Sequence, residues 1–406
     1  MKLIHLEKNF EIKVSSIINN YLNPEHVFIP IVYGFDIKVK LNDHILKDQK
    51  ILSSDDMTIK SPVSGKVIGT KDCMDYSGKM KKCLVIENDF KESSQKRSGS
   101  RRIINNLSKE QLITKLKEAD VMDCDNQLLP LYKRLIKPAK IETLTISIID
   151  DEPYIASNSF ILRQYTSELL EVIDALNDIF LPKNCLLVLK SSDGENIEKL
   201  NSLLGTYPKI NLKIVPDVYP IGNEIVLNNY LFSKNINHDK TLTLNISNVL
   251  AIYKCLKKNR YLSEKIITIS GNAIQNPQVF NVKIGTHLDS LIKEHITFKT
   301  SEIICIANGL MSGKEVDYQN LVVTAGLNGL IINSISQTEE HSCINCGKCY
   351  ESCPIKINPK YILDNKDNDL ALIKSRKDKC LDCGLCSYIC PAKIKLNKYL
   401  KGDKYE

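Results

Sequence analysis

Two stretches near the carboxyl end of the chain repeat one cysteine pattern. "CINCGKCYESCPIKINP" spans residues 343–359, and "CLDCGLCSYICPAKIKL" spans residues 380–396. Each stretch reads C-x2-C-x2-C-x3-C-P, so that eight of the 14 cysteines fall into two copies of one spacing. The repetition predicts two equivalent turns and, with them, two equivalent binding sites.

This spacing is the bacterial ferredoxin pattern for [4Fe–4S] clusters. Three thiolates that are separated by two residues each can wrap a tight turn around three corners of a cube, whereas the fourth, followed by proline, reaches the neighbouring cube. We therefore predict a two-cluster, ferredoxin-like domain in which each run lends one ligand to the other cluster. The expected ligand sets are Cys343, Cys346, Cys349 and Cys390 for the first cluster, and Cys380, Cys383, Cys386 and Cys353 for the second.

Zinc is the alternative metal, because C-x2-C pairs also form zinc knuckles. A third C-x2 step followed by C-x3-C-P is not a zinc-ribbon pattern, so iron–sulfur chemistry is preferred. His341 precedes the first run by two residues; an exposed histidine is favoured over one that is hydrogen-bonded to a cluster. The remaining cysteines are scattered, and we expect them to be buried or unreactive reduced thiols. They are Cys73, Cys83, Cys124, Cys185, Cys255 and Cys305.

The composition indicates a chain of several packed domains. With 406 residues, 43% hydrophobic and 25% charged, two to four domains are expected. The absence of Trp and the low aromatic content argue against stacking on nucleic-acid bases. The amino-terminal "MKLIHLEKNF" lacks the apolar centre of a signal peptide, and no stretch is apolar enough to span a bilayer. We expect a cytoplasmic protein that reaches the inner face of the cell membrane only through a partner.

The pattern of apolar residues divides the chain into segments of different type. Short alternating strands favour a small barrel or sandwich at the start. Strand–helix alternation then favours a parallel sheet with helices on its faces, and a second β-rich region precedes the cysteine runs. The predicted segments are 1–92 (barrel), 93–107 (linker), 108–258 (α/β), 259–337 (β-rich) and 338–406 (cysteine domain).

This order of segments resembles the RnfC family, whose members belong to the Rnf ion-translocating electron-transport complex. The resemblance covers nearly the whole chain and is carried by short motifs. They are "VKLNDHILKDQKI" (39–51), "SPVSGKV" (61–67), "EPY" (152–154), "YPIGNE" (219–224), "AIY" (251–253), "ITISGNAIQNP" (267–277), "IGTHLDSLI" (284–292) and "NGLMSG" (308–313). The resemblance implies an N-terminal barrel-sandwich hybrid, a Rossmann-like flavin and NADH domain, a β-grasp domain of the soluble-ligand-binding (SLBB) type and the ferredoxin-like domain.

One loop departs from the family. Its flavin and NADH loop reads roughly E-A-G-I-V-G-L-G-G-A-G-F-P-T, whereas this chain reads "EADVMDCDNQLLPL" from Glu118 to Leu131. Glycine lets backbone N–H groups approach a phosphate closely, and side chains at those positions block the approach. Acids there also repel a phosphate, by on the order of 4 kcal/mol per contact at about 4 Å. The replaced positions are Asp120, Asp123, Asp125, Asn126 and Leu128.

Neighbouring residues point the same way. Asp150 and Asp151 stand before the E-P-Y step, where the family has an acid and a cysteine, and Ile148 replaces an expected glycine. We therefore expect the flavin and NADH site to be lost; the alternative is a rebuilt site that still uses Glu152. Cys124, flanked by two aspartates, is expected to be an inert thiol rather than a redox thiol.

Three functions remain open at this point. The first is a protein that relays single electrons through two [4Fe–4S] clusters between a flavoprotein or ferredoxin-like donor and an acceptor, with no independent active site. The second is a working NADH-oxidising flavin component of an ion-translocating oxidoreductase. The third is a docking scaffold in which the clusters are structural.

Overall fold

The computed structural model describes residues 4–6, 17–95, 104, 106–125, 129–136, 140–232, 240–335, 339–365 and 377–400. The predicted linker at 93–107 therefore lies largely outside the described residues, as do Asn126 and Leu128 of the altered loop. Within the described ranges, no helix is long and apolar enough to cross a bilayer.

The first region is a pair of facing sheets. One sheet has the order β2-β8-β7-β4 and the other β3-β5-β6, and apolar residues such as Val27, Ile51 and Ile86 fill the space between them. Gly65 in "SPVSGKV" is required by a close approach, because a Cβ there would lie 1.9 Å from the Glu87 carbonyl oxygen. The strands are β1 (Ile18–Tyr21), β2 (His26–Pro30), β3 (Asp36–Ile37), β4 (His44–Ile45), β5 (Lys50–Ser53), β6 (Thr58–Lys60), β7 (Gly65–Met74) and β8 (Met80–Asn88).

The second region is a parallel sheet with helices around it. Its order is β11-β10-β9-β12, with all neighbours parallel, so the carboxyl ends of the four strands lie at one edge. The predicted capping box is confirmed: the Ser108 hydroxyl accepts from the Gln111 N–H, and the Gln111 side chain accepts from the Ser108 N–H. The elements are α1 (Lys109–Glu118), α2 (Leu131–Ile136), β9 (Thr143–Ser147), α3 (Ser157–Phe180), β10 (Asn184–Lys190), α4 (Gly194–Leu203), β11 (Ile210–Val215), α5 (Glu224–Phe232), β12 (Thr241–Asn245) and α6 (Ile246–Lys258).

The third region is a six-stranded mixed sheet with the order β1-β14-β13-β17-β15-β16. The predicted hairpin and short helix are confirmed, since β13 and β14 pair antiparallel and α7 follows them. Strand β1, although it lies in the segment predicted as barrel, pairs parallel with β14 and ties the start of the described chain to this sheet. The elements are β13 (Glu264–Ser270), β14 (Gln278–Lys283), α7 (Leu288–His295), β15 (Ile303–Ala307), β16 (Lys314–Glu315) and β17 (Gly329–Ser334).

The cysteine region consists of short helices around a small apolar core. Ile362, Ile394 and Leu400 are buried there, together with several of the cysteines. Such a core is too small to hold a domain together alone, and cross-links by metal clusters would supply the missing stability. The helices are α8 (Lys348–Ser352), α9 (Pro359–Asp364), α10 (Leu385–Tyr388) and α11 (Leu396–Leu400).

Candidate functional site

The two cysteine runs adopt the same backbone turn. Gly347 and Gly384 have left-handed φ angles of 73° and 69° and immediately precede α8 and α10. In both runs the first thiol accepts a hydrogen bond from the N–H two residues later, with N···Sγ distances of 3.4 Å from Asn345 to Cys343 and from Asp382 to Cys380. The repeated sequence therefore folds as a repeated structure.

The turns bring the cysteines together in two sets of four, and each set takes three residues from one run and one from the other. The first set surrounds a cavity of about 260 Å³, and the second surrounds a narrower one of about 20 Å³. A cluster in the second would hold its side chains farther apart than they lie here. The first set is Cys343, Cys346, Cys349 and Cys390. The second set is Cys353, Cys380, Cys383 and Cys386. These are the two groupings that the spacing predicts.

The chemistry of the donors fits iron–sulfur clusters. Each cavity offers four thiols, the ligand set of a [4Fe–4S] cube. Burial raises the pKa of Cys383 to about 11 and that of Cys386 to about 12, so iron binding there would displace protons. Among the described residues, no three His, Cys, Asp or Glu side chains converge closely enough to hold a single metal ion. His341 is exposed, and its backbone N–H donates to the Ala392 carbonyl.

The two sets differ in their surroundings. Cys346 of the first set is exposed, and beside it Ile344 is 67% and Tyr350 is 46% exposed. In the second set, Cys353 and Cys386 are each 8% exposed. The first cavity therefore faces solvent, whereas the second faces the rest of the chain.

The altered loop contains a network of ion pairs. Arg134 on α2 bridges two of its acids, with Nη1 at 3.1 Å from the Asp123 carboxylate and 3.0 Å from that of Asp125. Its Nη2 lies 2.7 Å from the Glu224 carboxylate. Asn248 donates to Asp123 at 2.9 Å and accepts from the Cys124 N–H at 2.7 Å. The charges that we expected to repel a phosphate are thus balanced from within, and the loop is closed by its own side chains.

The first replaced glycine position keeps a glycine-like backbone. Asp120 has a φ of 50°, in the left-handed region that Asp tolerates better than most residues. Its carboxylate accepts from the Thr58 N–H at 3.1 Å and from the Thr58 hydroxyl, and it lies 2.8 Å from the Lys60 ammonium. This position therefore anchors the loop to β6 of the first region instead of facing a ligand.

Asp150 occupies the start of the long helix α3. Its carboxylate accepts from the Asn158 and Ser159 N–H groups at 3.0 and 2.8 Å. Burial raises the pKa of Asp150 to about 7, and the two hydrogen bonds oppose this rise. The N–H groups at the start of a helix are a common phosphate site, and here a side chain of the same chain takes two of them.

Glu152 follows β9 at the carboxyl edge of the parallel sheet, where ligands bind in open α/β sheets. Its Oε2 accepts from the Met311 N–H at 2.9 Å, and its Oε1 accepts from the Ser312 N–H and hydroxyl at 3.1 and 2.6 Å. The "NGLMSG" turn can wrap the carboxylate because Gly309 has no side chain; a Cβ there would lie 2.3 Å from Glu152. The residue that could have kept a flavin or NADH contact is thus satisfied by the protein.

Tyr219 connects Glu152 to the second cysteine set. Its hydroxyl lies 3.0 Å from Glu152 Oε1 and donates to the Cys383 carbonyl oxygen at 2.6 Å. Tyr219 is 2% exposed and packs with Met311 and Leu385. In the sequence this tyrosine stands out only as part of a family motif, and nothing there singles out Arg134 or Asn248. Three acids within six residues of one loop were a signal that a cation must lie nearby.

Cys124 is fully buried, and burial first of all raises its pKa to about 11. At pH 8 only about one Cys124 in a thousand is then a thiolate, the reactive form. We expect alkylation by iodoacetamide at pH 8 to spare Cys124 in the folded protein and to modify it in urea, as measured by mass spectrometry of its tryptic peptide. Equal labelling rates in the two conditions would show a reactive thiol instead.

Three family models match successive parts of the chain. They are the RnfC barrel-sandwich hybrid domain over residues 2–91, the Nuo51 FMN-binding domain over 116–254 and a 4Fe-4S dicluster domain over 342–394. These matches confirm the predicted N-terminal barrel sandwich and the C-terminal 4Fe-4S domain. The middle match is to a flavin-binding family, and it does not test whether this chain binds flavin.

Curated relatives align along most of the chain. The RnfC component of the proton-translocating ferredoxin:NAD(+) oxidoreductase complex of Clostridium ljungdahlii is 26% identical over 85% of this chain and 79% of the relative. The RnfC component of the ion-translocating oxidoreductase complex of Serratia proteamaculans is 24% identical over 84% of this chain and 51% of the relative. The chain thus spans about half the length of the Serratia relative.

A solved structure shares the fold at low identity. A chain of the NAD+-reducing [NiFe]-hydrogenase in the H2-reduced state superposes with a TM-score of 0.52 and 10% identity, over 73% of this chain and 64% of that chain. At this identity the likeness concerns the fold alone.

Proposed function

Because the chain is an RnfC-like protein, we propose that it relays single electrons within an ion-translocating oxidoreductase complex. The observation that carries the proposal is the assembly of the eight repeat cysteines into two sets of four. Bound there, [4Fe–4S] clusters would supply one-electron chemistry, and the chain would fix their spacing, burial and hydrogen bonds. The ligands would be those predicted from the spacing, with Cys390 and Cys353 exchanged between the runs.

The different surroundings of the two sets suggest a direction for the relay. The first set opens to solvent beside Cys346 and Tyr350, so a redox partner could approach it closely. The second set faces the interior, beside Tyr219 and Met311. We propose that a flavoprotein or ferredoxin-like partner exchanges electrons at the first set. Other members of the complex would hold this peripheral protein at the membrane.

We further propose that the flavin and NADH site of the family is lost here. Arg134 and Asn248 fill the altered loop together with its acids, Asp150 takes two N–H groups of α3, and Glu152 is satisfied by the "NGLMSG" turn. Close approach of a phosphate would require these contacts to break. The Rossmann-like and β-grasp names, and the domain boundaries given above, belong to the same proposal.

A second candidate is an NADH-oxidising flavin component of such a complex. The match of residues 116–254 to an FMN-binding domain family favours it. It would require the loop to rearrange around a bound flavin.

One measurement separates the two candidates. We expect anaerobically purified protein to contain about eight irons per chain, no flavin, and a visible spectrum that bleaches with dithionite but not with NADH. One flavin per chain together with NADH-dependent bleaching would establish the second candidate. Little iron after cluster reconstitution would contradict the relay itself.

A further inference from the structure

The two cysteine turns, although alike in backbone, differ in what they touch. A Cβ on Gly384 would lie 1.8 Å from the Met311 carbonyl oxygen, so this turn is seated directly against the "NGLMSG" turn. A Cβ on Gly347, the matching residue of the first run, would meet nothing within 4 Å. Only the second turn, at the more buried cysteine set, is therefore packed tightly against another region of the chain at this point.

A chain of hydrogen bonds runs through this contact. Glu152 holds the N–H groups of Met311 and Ser312, and the Tyr219 hydroxyl lies between Glu152 and the Cys383 carbonyl oxygen. The shorter distance, 2.6 Å, is to the carbonyl of the cysteine. The acid at the carboxyl edge of the parallel sheet is thus connected, through one buried tyrosine, to a residue of the second cysteine set.

We propose that Tyr219 and Glu152 are positioning residues for the second cluster. This inference rests on the proposed seating of clusters at the cysteine sets. Tyr219 fixes the Cys383 backbone and places a hydroxyl hydrogen beside the cluster site, and Glu152 fixes the tyrosine and the turn that supports it. Hydrogen bonds around the ligands are one of the factors that set a cluster's potential. A hydroxyl dipole with its positive end toward the site favours the reduced, more negative state.

The first test is Tyr219→Phe in the full-length, cluster-loaded protein. Removal of the hydroxyl should shift one of the two potentials downward in an EPR-monitored redox titration. We expect a change of up to about tenfold in the reduction equilibrium of that cluster, equivalent to about 59 mV for one electron. Tyr350→Phe removes a hydroxyl beside the first set instead, and it should leave that potential unchanged.

The second test uses the matched glycines. Both Gly384→Ala and Gly347→Ala place a side chain at a left-handed φ, but only the first also meets Met311. Gly384→Ala should speed amide hydrogen exchange in residues 384–389 by at least about tenfold, because the turn can no longer seat. Gly347→Ala should leave exchange in that segment unchanged. Glu152→Gln should resemble Gly384→Ala, since an amide NH2 faces donors there.

The outcomes separate this proposal from the one on which it rests. Full iron with both potentials unchanged in Tyr219→Phe would overturn the positioning role and leave the relay standing. Equal exchange in the two alanine variants would overturn the seating of the turn. Absence of iron from the unmodified protein would instead contradict the cluster assignment. If Gly384→Ala does not fold, the potential measured in Tyr219→Phe still decides the proposal.

Discussion

Replacement of Cys390 by serine should damage the cluster that is held by the first cysteine run, although Cys390 belongs to the second run. The structure places Cys390 with Cys343, Cys346 and Cys349, and it places Cys353 with the second run. Loss of one thiolate leaves a cube with three firm ligands, so one cluster should be lost or should lose an iron. We expect the iron content to fall from about eight to between about four and seven per chain.

The crossing of the ligands is measured by comparing EPR spectra of the reduced variants. The spectrum of Cys390→Ser should match that of Cys346→Ser, and the spectrum of Cys353→Ser should match that of Cys383→Ser. If each run held its own cluster, Cys390→Ser would instead match Cys383→Ser. Cys305→Ser serves as the control, because Cys305 lies on β15 outside the repeat, and this variant should keep both clusters.

The cysteine groupings were accessible from sequence because local spacing determines them. A C-x2-C-x2-C run must fold as a tight turn, and a proline after the fourth cysteine directs the chain away from that turn. The capping box at Ser108 and the hairpin of β13 and β14 were accessible for the same reason. Each depends on residues that are close in the chain.

The candidate flavin region shows where such reasoning stops. The loss of glycines from the Glu118–Leu131 loop was visible, but its physical consequence was wrong in part. We expected uncompensated repulsion by Asp123 and Asp125, whereas Arg134 lies within 3.1 Å of both carboxylates. Asn248 completes the network from 125 residues away, a contact that no local pattern predicts. Pairing of β1 with β14 is missed for the same reason.

Replacement of Arg134 by alanine should destabilise the protein substantially at pH 7. Asp123 has a side chain that is only 6% exposed, and Arg134 is its ion-pair partner. Breaking a buried pair leaves an uncompensated charge and typically costs about 3–5 kcal/mol. Because the Arg134 side chain is still 23% exposed, we expect the lower end, about 3 kcal/mol, in urea unfolding. Lys209→Ala removes an exposed pair with Asp178 and should cost less than about 0.5 kcal/mol.

The pH dependence of this loss identifies its cause. Desolvation already raises the pKa of Asp125, and Arg134 opposes that rise. Without Arg134 the folded-state pKa of the loop acids rises further above the unfolded value. A carboxyl with a raised folded-state pKa binds a proton more tightly in the folded protein, so stability increases as the pH falls through that pKa. The difference between Arg134→Ala and the unmodified protein should therefore shrink from pH 7 to pH 5.

Adding Asp123→Asn to Arg134→Ala should recover part of the stability at pH 7, because it removes the charge that was left without a partner. An equal loss at both pH values, with no recovery in the double variant, would mean that Arg134 acts through packing alone. The network would then not be an electrostatic closure of the loop. If the network is as we describe it, Arg134→Ala should not gain flavin: Asp120 stays bound to Thr58 and Asp150 to the start of α3. Equilibrium dialysis with FMN measures this.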